Sequence, residues 1–229
     1  MPRYIKLSET KSTNSYLAGT ASALPGGTVI YTYRQTAGRG QKGNSWESED
    51  NKNLAFSYLL KSPHIEPSRQ FFISEAVSLA VADMLSQYVP EGISIKWRND
   101  IYYRDQKICG ILIENTLSGS HIGHSIIGVG ININQERFVS DAPNPVSLKN
   151  ITGDDYDLEQ LLREVNERIE RLTDFSQADE EALRQLHARY ISRLYRADGK
   201  AHQWTCTPTA CSAFATQPQA KSASIISKK

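Results

Sequence analysis

Four strand-like runs follow one another in the middle of the chain, and only short turns separate them. The runs are ISIKW, DIYY, KICGILIEN and HSIIGVGININ, and one of the turns is Arg104-Asp105-Gln106. Helical spacing of apolar residues appears on both sides of this region, over residues 69–88, 158–172 and 178–195. Hairpin-linked strands beside helices indicate an α+β fold, with a mixed, largely antiparallel sheet backed by helices.

The N-terminal third adds three further strands and a short helix to this prediction. YIKL, TVIYTY and NLAFSYLL are short runs rich in β-branched and aromatic residues, as strands are. Between the first two, Ser12, Thr13 and Asn14 are each able to cap a helix that continues into SYLAG, because their side-chain oxygens accept from free first-turn amides.

Composition narrows the class of protein. The 229 residues include 26 basic and 25 acidic side chains, so the chain has almost no net charge. The overall charge therefore gives no indication of DNA binding. No apolar run is long enough for a membrane span, and MPRYIKLSETKST lacks the apolar segment of a secretory signal. Cys109, Cys206 and Cys211 form neither a disulfide framework nor a metal-spaced cluster, so we expect a reducing cytoplasm.

The length favours either one large domain or one domain with a small appendage. We predict a catalytic domain over residues 1–196 and an atypical tail over residues 197–229. The tail is small and polar, has no convincing period and resembles disordered composition.

The strongest local motif is the glycine-rich loop from Gln35 to Gly43. Its glycines let a ligand approach backbone amides, and Arg39 and Lys42 supply charge for a carboxylate or phosphate. A flexible surface loop is the alternative reading. Trp46, just beyond it, is placed either to stack on a nucleotide base or to anchor the core.

Three further motifs carry polar residues at strand ends. In KWRND, the Lys, Asn and Asp side chains suit a nucleotide and its Mg²⁺, although a plain hairpin turn would also use them. In KICGILIE, Lys107 is a ligand cation or a solvated edge residue, and Cys109 is predicted to be a small core residue. Gly110 predicts that a ligand approaches the backbone closely. In GVGININ, Asn132 and Asn134 share a face or begin a turn.

The order of these motifs resembles the catalytic domain of biotin–protein ligases. The resemblance rests on Ser12-Thr13-Asn14, QTAGRGQKGNSW, KWRND, KICGILIE and GVGININ, and covers about residues 4 to 195. It implies the fold of class II aminoacyl-tRNA synthetases and lipoyl ligases. The implied activity is ATP-dependent formation of biotinyl-5'-AMP, followed by transfer of biotin to a lysine of a biotin carboxyl carrier protein of a carboxylase.

The resemblance also implies which residues form the site. The implied biotin-binding residues are Ser12, Thr13, Asn14, Gln35, Gly38, Arg39, Gly40, Lys107 and Gly110. The implied ATP-binding residues are Trp46, Lys96, Asn99, Asp100 and Asn132. Arg39 and Lys107 are implied as the catalytic cations. ATP and Mg²⁺ are the implied cofactors, no protein-held metal site is expected, and a homodimer is left open.

The chain departs from the family pattern in three places. Gln41 stands where the pattern has a second arginine, and Arg98 replaces a proline. The small C-terminal β-barrel is not recognisable after Gly199, and STN at residue 12 leaves no room for a helix-turn-helix, so no repressor is expected. A lipoate or octanoate ligase and a biotin-binding module with impaired transfer are the alternative functions.

Overall fold

The computed structural model describes residues 3–139 and 144–195. The strands are β1 Arg3–Lys6, β2 Thr28–Thr32, β3 Gly38–Arg39, β4 Ser45–Trp46, β5 Leu54–Lys61, β6 Ile93–Lys96, β7 Asp100–Tyr103, β8 Gln106–Ser118 and β9 His121–Ile131. The helices are α1 Thr13–Thr20, α2 Phe71–Tyr88, α3 Leu148–Thr152, α4 Leu158–Leu172 and α5 Glu180–Ser192.

Seven strands form one sheet in the order β1-β2-β5-β9-β8-β7-β6. Only the β1–β2 pair is parallel among the described strands, and every other neighbouring pair in this sheet is antiparallel. The prediction of a mixed, largely antiparallel sheet is therefore confirmed. The long β8–β9 hairpin lies at the centre of the sheet, and its two strands have more paired residues than any other two neighbouring strands described.

Helices α2 and α4 cover one face of the sheet, where the main core lies. α2 is almost wholly apolar and buried, from Ile73 to Leu85, whereas α4 buries one stripe that includes Leu161, Val165 and Ile169. Spacing of three or four residues brings that stripe onto one helix face. On the sheet side, Phe56, Ile111, Val129 and their neighbours pack against these helices.

Helix α1 lies on the opposite face of the sheet, over a smaller cluster. Leu17 packs there with Ile30, Leu59 and Ile126, each from a different element. Ser12 is the N-cap of α1, and its side chain accepts from the amide of Ser15. This cap begins the helix over the middle of the sheet, so that the side chains of Thr13 and Asn14 are buried against the strands.

Some sequence-based bounds were wrong, and each has a local cause. The first long helix begins at Phe71 rather than Arg69, because residues Pro67–Arg69 form a separate 3-10 turn. The last helix begins at Glu180, since Asp179 accepts from the amide of Ala182 and caps it. The glycine-rich segment, predicted as a loop, contains strand β3, which pairs with β4 just beyond it.

The predicted tail, residues 197–229, lies outside the described residues. Within residues 3–139 and 144–195, none of the helices combines the length and apolar character needed to cross a membrane.

Candidate functional site

The site has a floor of small residues on the α1 face of the sheet. Ala55 of β5 pairs with Gly130 of β9, and Gly130 pairs with Gly110 of β8, so three neighbouring strands place small residues side by side. The next row consists of Ser57, Gly128 and Leu112. Because successive side chains alternate between faces, the large apolar residues between these rows point into the core instead. A shallow trough results, and a pocket lies over it.

The indole of Trp46 lies on this glycine floor. A Cβ atom added to Gly130 would lie 2.6 Å from Nε1 of Trp46, and one added to Gly110 would lie 2.9 Å from Cζ3. The close approach to Gly110 that was predicted for a ligand is made in this structure by the Trp46 side chain. Nε1 of Trp46 is buried and has no hydrogen-bond partner among the residues that the structure describes.

A hydrogen-bonded group forms the α1 end of the pocket. The Asn14 amide donates to Glu114 Oε2 at 2.9 Å and to the Leu112 carbonyl at 3.3 Å, and Ser57 Oγ donates to Asn14 Oδ1 at 2.5 Å. The backbone amide of Thr13 donates to Gln35 Oε1 at 3.0 Å. Side-chain amides and hydroxyls offer both donors and acceptors, so this end suits a polar, uncharged group.

Two side chains attach the glycine-rich segment to the rest of the site. Arg39 donates through Nη2 to Glu114 Oε1 at 2.7 Å and through Nη1 to Ser15 Oγ at 3.2 Å. Gln41 donates to Asn99 Oδ1 at 2.9 Å, and Asn99 in turn donates to the Ile111 carbonyl at 2.6 Å. Gln41, which replaces an arginine of the motif, therefore connects this segment to the KWRND turn.

Lys107 and Asp100 form an ion pair at the other end of the pocket. Lys107 Nζ lies 2.8 Å from Asp100 Oδ2, with about a quarter to a third of each side chain exposed. Nζ also lies 5.9 Å from the centre of the Trp46 ring. A half-buried ammonium beside the pocket suits a carboxylate or phosphate oxygen better than a fully hydrated one would, because the surrounding dielectric constant is lower.

Most of the predicted site residues line this one pocket. Those that line it are Ser12, Thr13, Asn14, Gln35, Arg39, Gly40, Trp46, Asp100, Lys107 and Gly110. This convergence of residues from distant parts of the chain follows from the sheet order, which places β8 and β9 beside β5 and beneath α1.

Four of the predicted residues do not line the pocket. Gly38 pairs with Trp46 in the β3–β4 hairpin, and Lys96 donates to the Tyr102 hydroxyl at 3.0 Å on the edge of the sheet. Asn99 is buried behind Gln41. Asn132 is also buried and donates to the Val146 carbonyl at 3.1 Å, and Asn134 bonds the backbone of Tyr156, so both fix the chain after β9.

Sequence reasoning missed Ser57 and Glu114, which build the site, and for Gly128 it predicted only that the glycine makes room, not what fills the space. Ser57 contacts Thr13 and Asn14, Glu114 contacts Asn14 and Arg39, and Gly128 leaves the space that Asn14 occupies. A serine within the apolar run NLAFSYLL and a glutamate ending KICGILIE were the available signals.

Cys109 is fully buried, and the desolvation that accompanies burial raises the pKa of its thiol well above the ordinary value. The prediction of a small core residue rather than a nucleophile is confirmed. Over the described parts of the chain, no cluster of three or more His, Cys, Asp or Glu side chains could hold a metal ion.

Comparison with known proteins finds one consistent group of relatives. Residues 7–132 match the biotin/lipoate A/B protein ligase family. The chain is 32% identical over 133 residues to the bifunctional ligase/repressor BirA of Salmonella typhimurium, covering 58% of this chain and 41% of that protein. It is 30% identical over 162 residues to the biotin–[acetyl-CoA-carboxylase] ligase of Paracoccus denitrificans, covering 68% of this chain and 67% of that protein.

A solved structure shows the same fold. The biotin protein ligase of Aquifex aeolicus in complex with biotin and ATP has a TM-score of 0.72 and 29% identity, covering 85% of this chain and 79% of that one. The chain therefore spans only about two fifths of the length of BirA, but most of the Aquifex aeolicus protein.

Proposed function

Because this chain belongs to the biotin/lipoate A/B protein ligase family, we propose that it joins biotin to a carrier protein at the expense of ATP. In the first step biotin and ATP form biotinyl-5'-AMP and pyrophosphate. In the second step a lysine of a biotin carboxyl carrier protein accepts the biotinyl group. One observation carries the proposal: a single pocket has neutral amides and hydroxyls at its α1 end, with the Arg39 guanidinium beside them, and Lys107 at the other end.

The neutral end matches the ureido ring of biotin. That ring carries both N–H donors and a carbonyl acceptor, as do the amides and hydroxyls of Ser12, Thr13, Asn14 and Gln35. The aliphatic chain of biotin would run from this end toward Lys107, beside the apolar Trp46 indole that lies on the small-residue floor. The proposed biotin site also includes three glycines: Gly38 and Gly40 of the glycine-rich segment, and Gly110 of the floor.

The cationic end matches the chemistry of adenylation. A biotin carboxylate oxygen attacks the α-phosphorus of ATP, the bond from this phosphorus to the bridging oxygen breaks, and pyrophosphate leaves. Both reactants are anionic, so Lys107 and Arg39 would offset their repulsion and stabilise the charge on the phosphoryl oxygens. Since the mixed anhydride hydrolyses readily, the glycine-rich segment would exclude water from it.

The proposed ATP side comprises Trp46, Lys96, Asn99, Asp100 and Asn132. Trp46 and Asp100 line the pocket, and Asn99 reaches it through Gln41. Asp100 is the single acidic residue among the described lining residues, which fits Mg²⁺ that arrives with ATP and uses one or two carboxylates plus phosphate oxygens. When bound, the ion would neutralise phosphate charge.

The proposed partner is the carrier domain of a biotin-dependent carboxylase, as the name of the Paracoccus denitrificans relative indicates for that protein. The amine of the carrier lysine attacks the acyl carbon, and AMP leaves with the electron pair of the broken bond. A cytoplasmic location is also part of this proposal. That the protein does not bind DNA stays a prediction from the sequence, and a homodimer stays open.

The test is ATP–pyrophosphate exchange measured with purified protein. Exchange that depends on biotin, and not on lipoate or octanoate, supports the proposal. Because the family includes lipoate ligases, exchange that depends on lipoate or octanoate would support that alternative. Biotin binding without any exchange would support a binding module.

A further inference from the structure

Glu114 lies where strand β8, helix α1 and the β3–β4 hairpin meet in the proposed biotin site. It is on β8, pairs with Ile126 of β9, and directs its carboxylate toward α1 and the glycine-rich hairpin. Oε2 accepts from the Asn14 amide at 2.9 Å, and Oε1 accepts from Arg39 Nη2 at 2.7 Å. A second Arg39 nitrogen, Nη1, lies 3.5 Å from Oε2. One side chain thus orients a neutral residue of helix α1 and a cationic residue of the β3–β4 hairpin.

The contact with Asn14 fixes which way the amide faces. A carboxylate only accepts hydrogen bonds, so the NH₂ group of Asn14 must point toward Glu114 and the Leu112 carbonyl. The oxygen of Asn14 then points toward Ser57, which donates to it. Gly128 permits this placement, since a Cβ there would lie 2.7 Å from Cγ of Asn14.

The contact with Arg39 is more consequential for orientation than for stability. The Arg39 side chain is 47% exposed and the Glu114 side chain 36% exposed, and ion pairs this open to water contribute little to folding. The pair nevertheless restrains a long, flexible guanidinium at the mouth of the pocket, together with Ser15 Oγ. An arginine that is already oriented loses less entropy when it engages an anion.

We propose that Glu114 is a positioning residue, which orients Asn14 for biotin and Arg39 for the adenylation step. The proposal rests on the proposed function and adds a residue that contacts both halves of the site. It predicts that the two contacts can be separated. Glu114→Gln keeps an oxygen that accepts from Asn14 but loses the charge that holds Arg39, whereas Glu114→Ala loses both contacts.

The experiment measures biotin affinity by calorimetry and the exchange rate with saturating biotin and ATP. We expect Glu114→Gln to bind biotin within about twofold of wild type but to lose roughly tenfold in exchange rate, the effect of one lost oriented contact. Glu114→Ala should lose roughly tenfold in both quantities. In an Arg39→Ala background, Glu114→Gln should have no further effect on exchange, because it acts through Arg39.

Glu181→Gln is the matched control, because it removes the surface ion pair with Arg184 on α5 without touching the pocket. It should leave both quantities unchanged. Equal losses in both quantities for Glu114→Gln and Glu114→Ala, or wild-type values for both variants, would overturn the proposal. So would an undiminished effect of Glu114→Gln in the Arg39→Ala background.

Trypsin cleavage after Arg39 gives a readout that does not need activity. Cleavage there should be faster in both Glu114 variants than in wild type, while cleavage after Arg34, which pairs with Glu9 and Asp50, should not change. Unchanged cleavage after Arg39 would overturn the restraint. If trypsin cleaves wild-type protein after Arg39 more slowly than the Glu114 variants, but wild type shows no biotin-dependent exchange, the restraint on Arg39 stands and the proposed function is contradicted.

Discussion

Replacing Gly128 by alanine places a methyl group where the Asn14 side chain lies. The added Cβ would be 2.7 Å from Cγ and 2.9 Å from Nδ2 of Asn14, closer than real Cβ contacts allow. Asn14 is buried and is hydrogen-bonded to Ser57, Glu114 and the Leu112 carbonyl, so it cannot move without losing these partners. The substitution therefore tests whether the floor and the α1 end depend on each other.

The expected cost follows from two contributions. Overpacking a well-filled site costs about 1–3 kcal/mol, and breaking buried hydrogen bonds costs about 1–3 kcal/mol. A total of about 3 kcal/mol lowers the melting temperature by about 6–12 °C for a domain of this size. Since domains have about 5–15 kcal/mol of stability, the variant should still fold at room temperature.

Thermal unfolding and biotin calorimetry measure both effects. Biotin affinity should fall by at least about tenfold, because a displaced Asn14 loses about 1.4 kcal/mol or more of oriented hydrogen bonding. Gly19→Ala is the control, since nothing lies within 4 Å of the added Cβ in α1. That variant should gain about 0.5–1 kcal/mol, because alanine favours helix over glycine.

The reasoning is tested most directly in an Asn14→Ala background, where the added methyl group has room. There Gly128→Ala should shift the melting temperature by less than about 2 °C, since the coupling between contacting residues is removed. An equal shift in both backgrounds would show that the collision with Asn14 is not the cause. Wild-type stability and biotin affinity in the single variant would refute the geometry of the floor.

Three further predictions concern the reaction, the hairpin and the pH dependence of folding. Lys107→Ala should lower biotin-dependent exchange roughly a hundredfold, about 3 kcal/mol, with an unchanged melting temperature; more than a third of wild-type exchange would refute the role. Proteolysis within residues 36–45 should slow when biotin and ATP are added, because the ligand's anion offsets the entropy lost on ordering; equal cleavage with and without them would count against closure. Burial raises the pKa of Glu75 above its ordinary 4.5, against a smaller lowering by His187. The folded protein then binds the proton more tightly than the unfolded chain, so its free energy of unfolding falls as pH rises from about 4.5 through the folded pKa. Glu75→Gln should flatten that fall in urea titrations at a series of pH values, whereas an identical slope would contradict the assignment.

The sequence predicted the existence and order of the main strands well, because hairpin-linked runs leave few ways to pair. It also predicted that Lys107, Arg39 and Asn14 would meet, although only the resemblance, and not periodicity, brought them together. Cys109 was read correctly from its apolar neighbours, since a thiol inside such a run has no route to solvent.

What the sequence could not supply was the direction of individual side chains. Lys96 and Asn99 stand in one motif with Asp100, but only Asp100 lines the pocket. Lys96 lies on the edge strand β6 and donates to Tyr102, and Asn99 is buried between Gln41 and the Ile111 carbonyl. The role of Glu114 depends on a register with β9 and on a contact with Arg39, which is 75 residues away in the chain. Neither leaves a local signal.

The β8–β9 hairpin contains one irregularity, a shift of register between Thr116 and Leu117. It separates the exposed turn at Gly119 from the regular pairing of Gly110 with Gly130 and of Leu112 with Gly128. A change in turn length would otherwise slide one strand along the other, and a slip of one residue would turn isoleucines toward the pocket. We expect the irregularity to absorb such changes, so that the tip of the hairpin tolerates changes in sequence and length while the floor of the pocket stays in register.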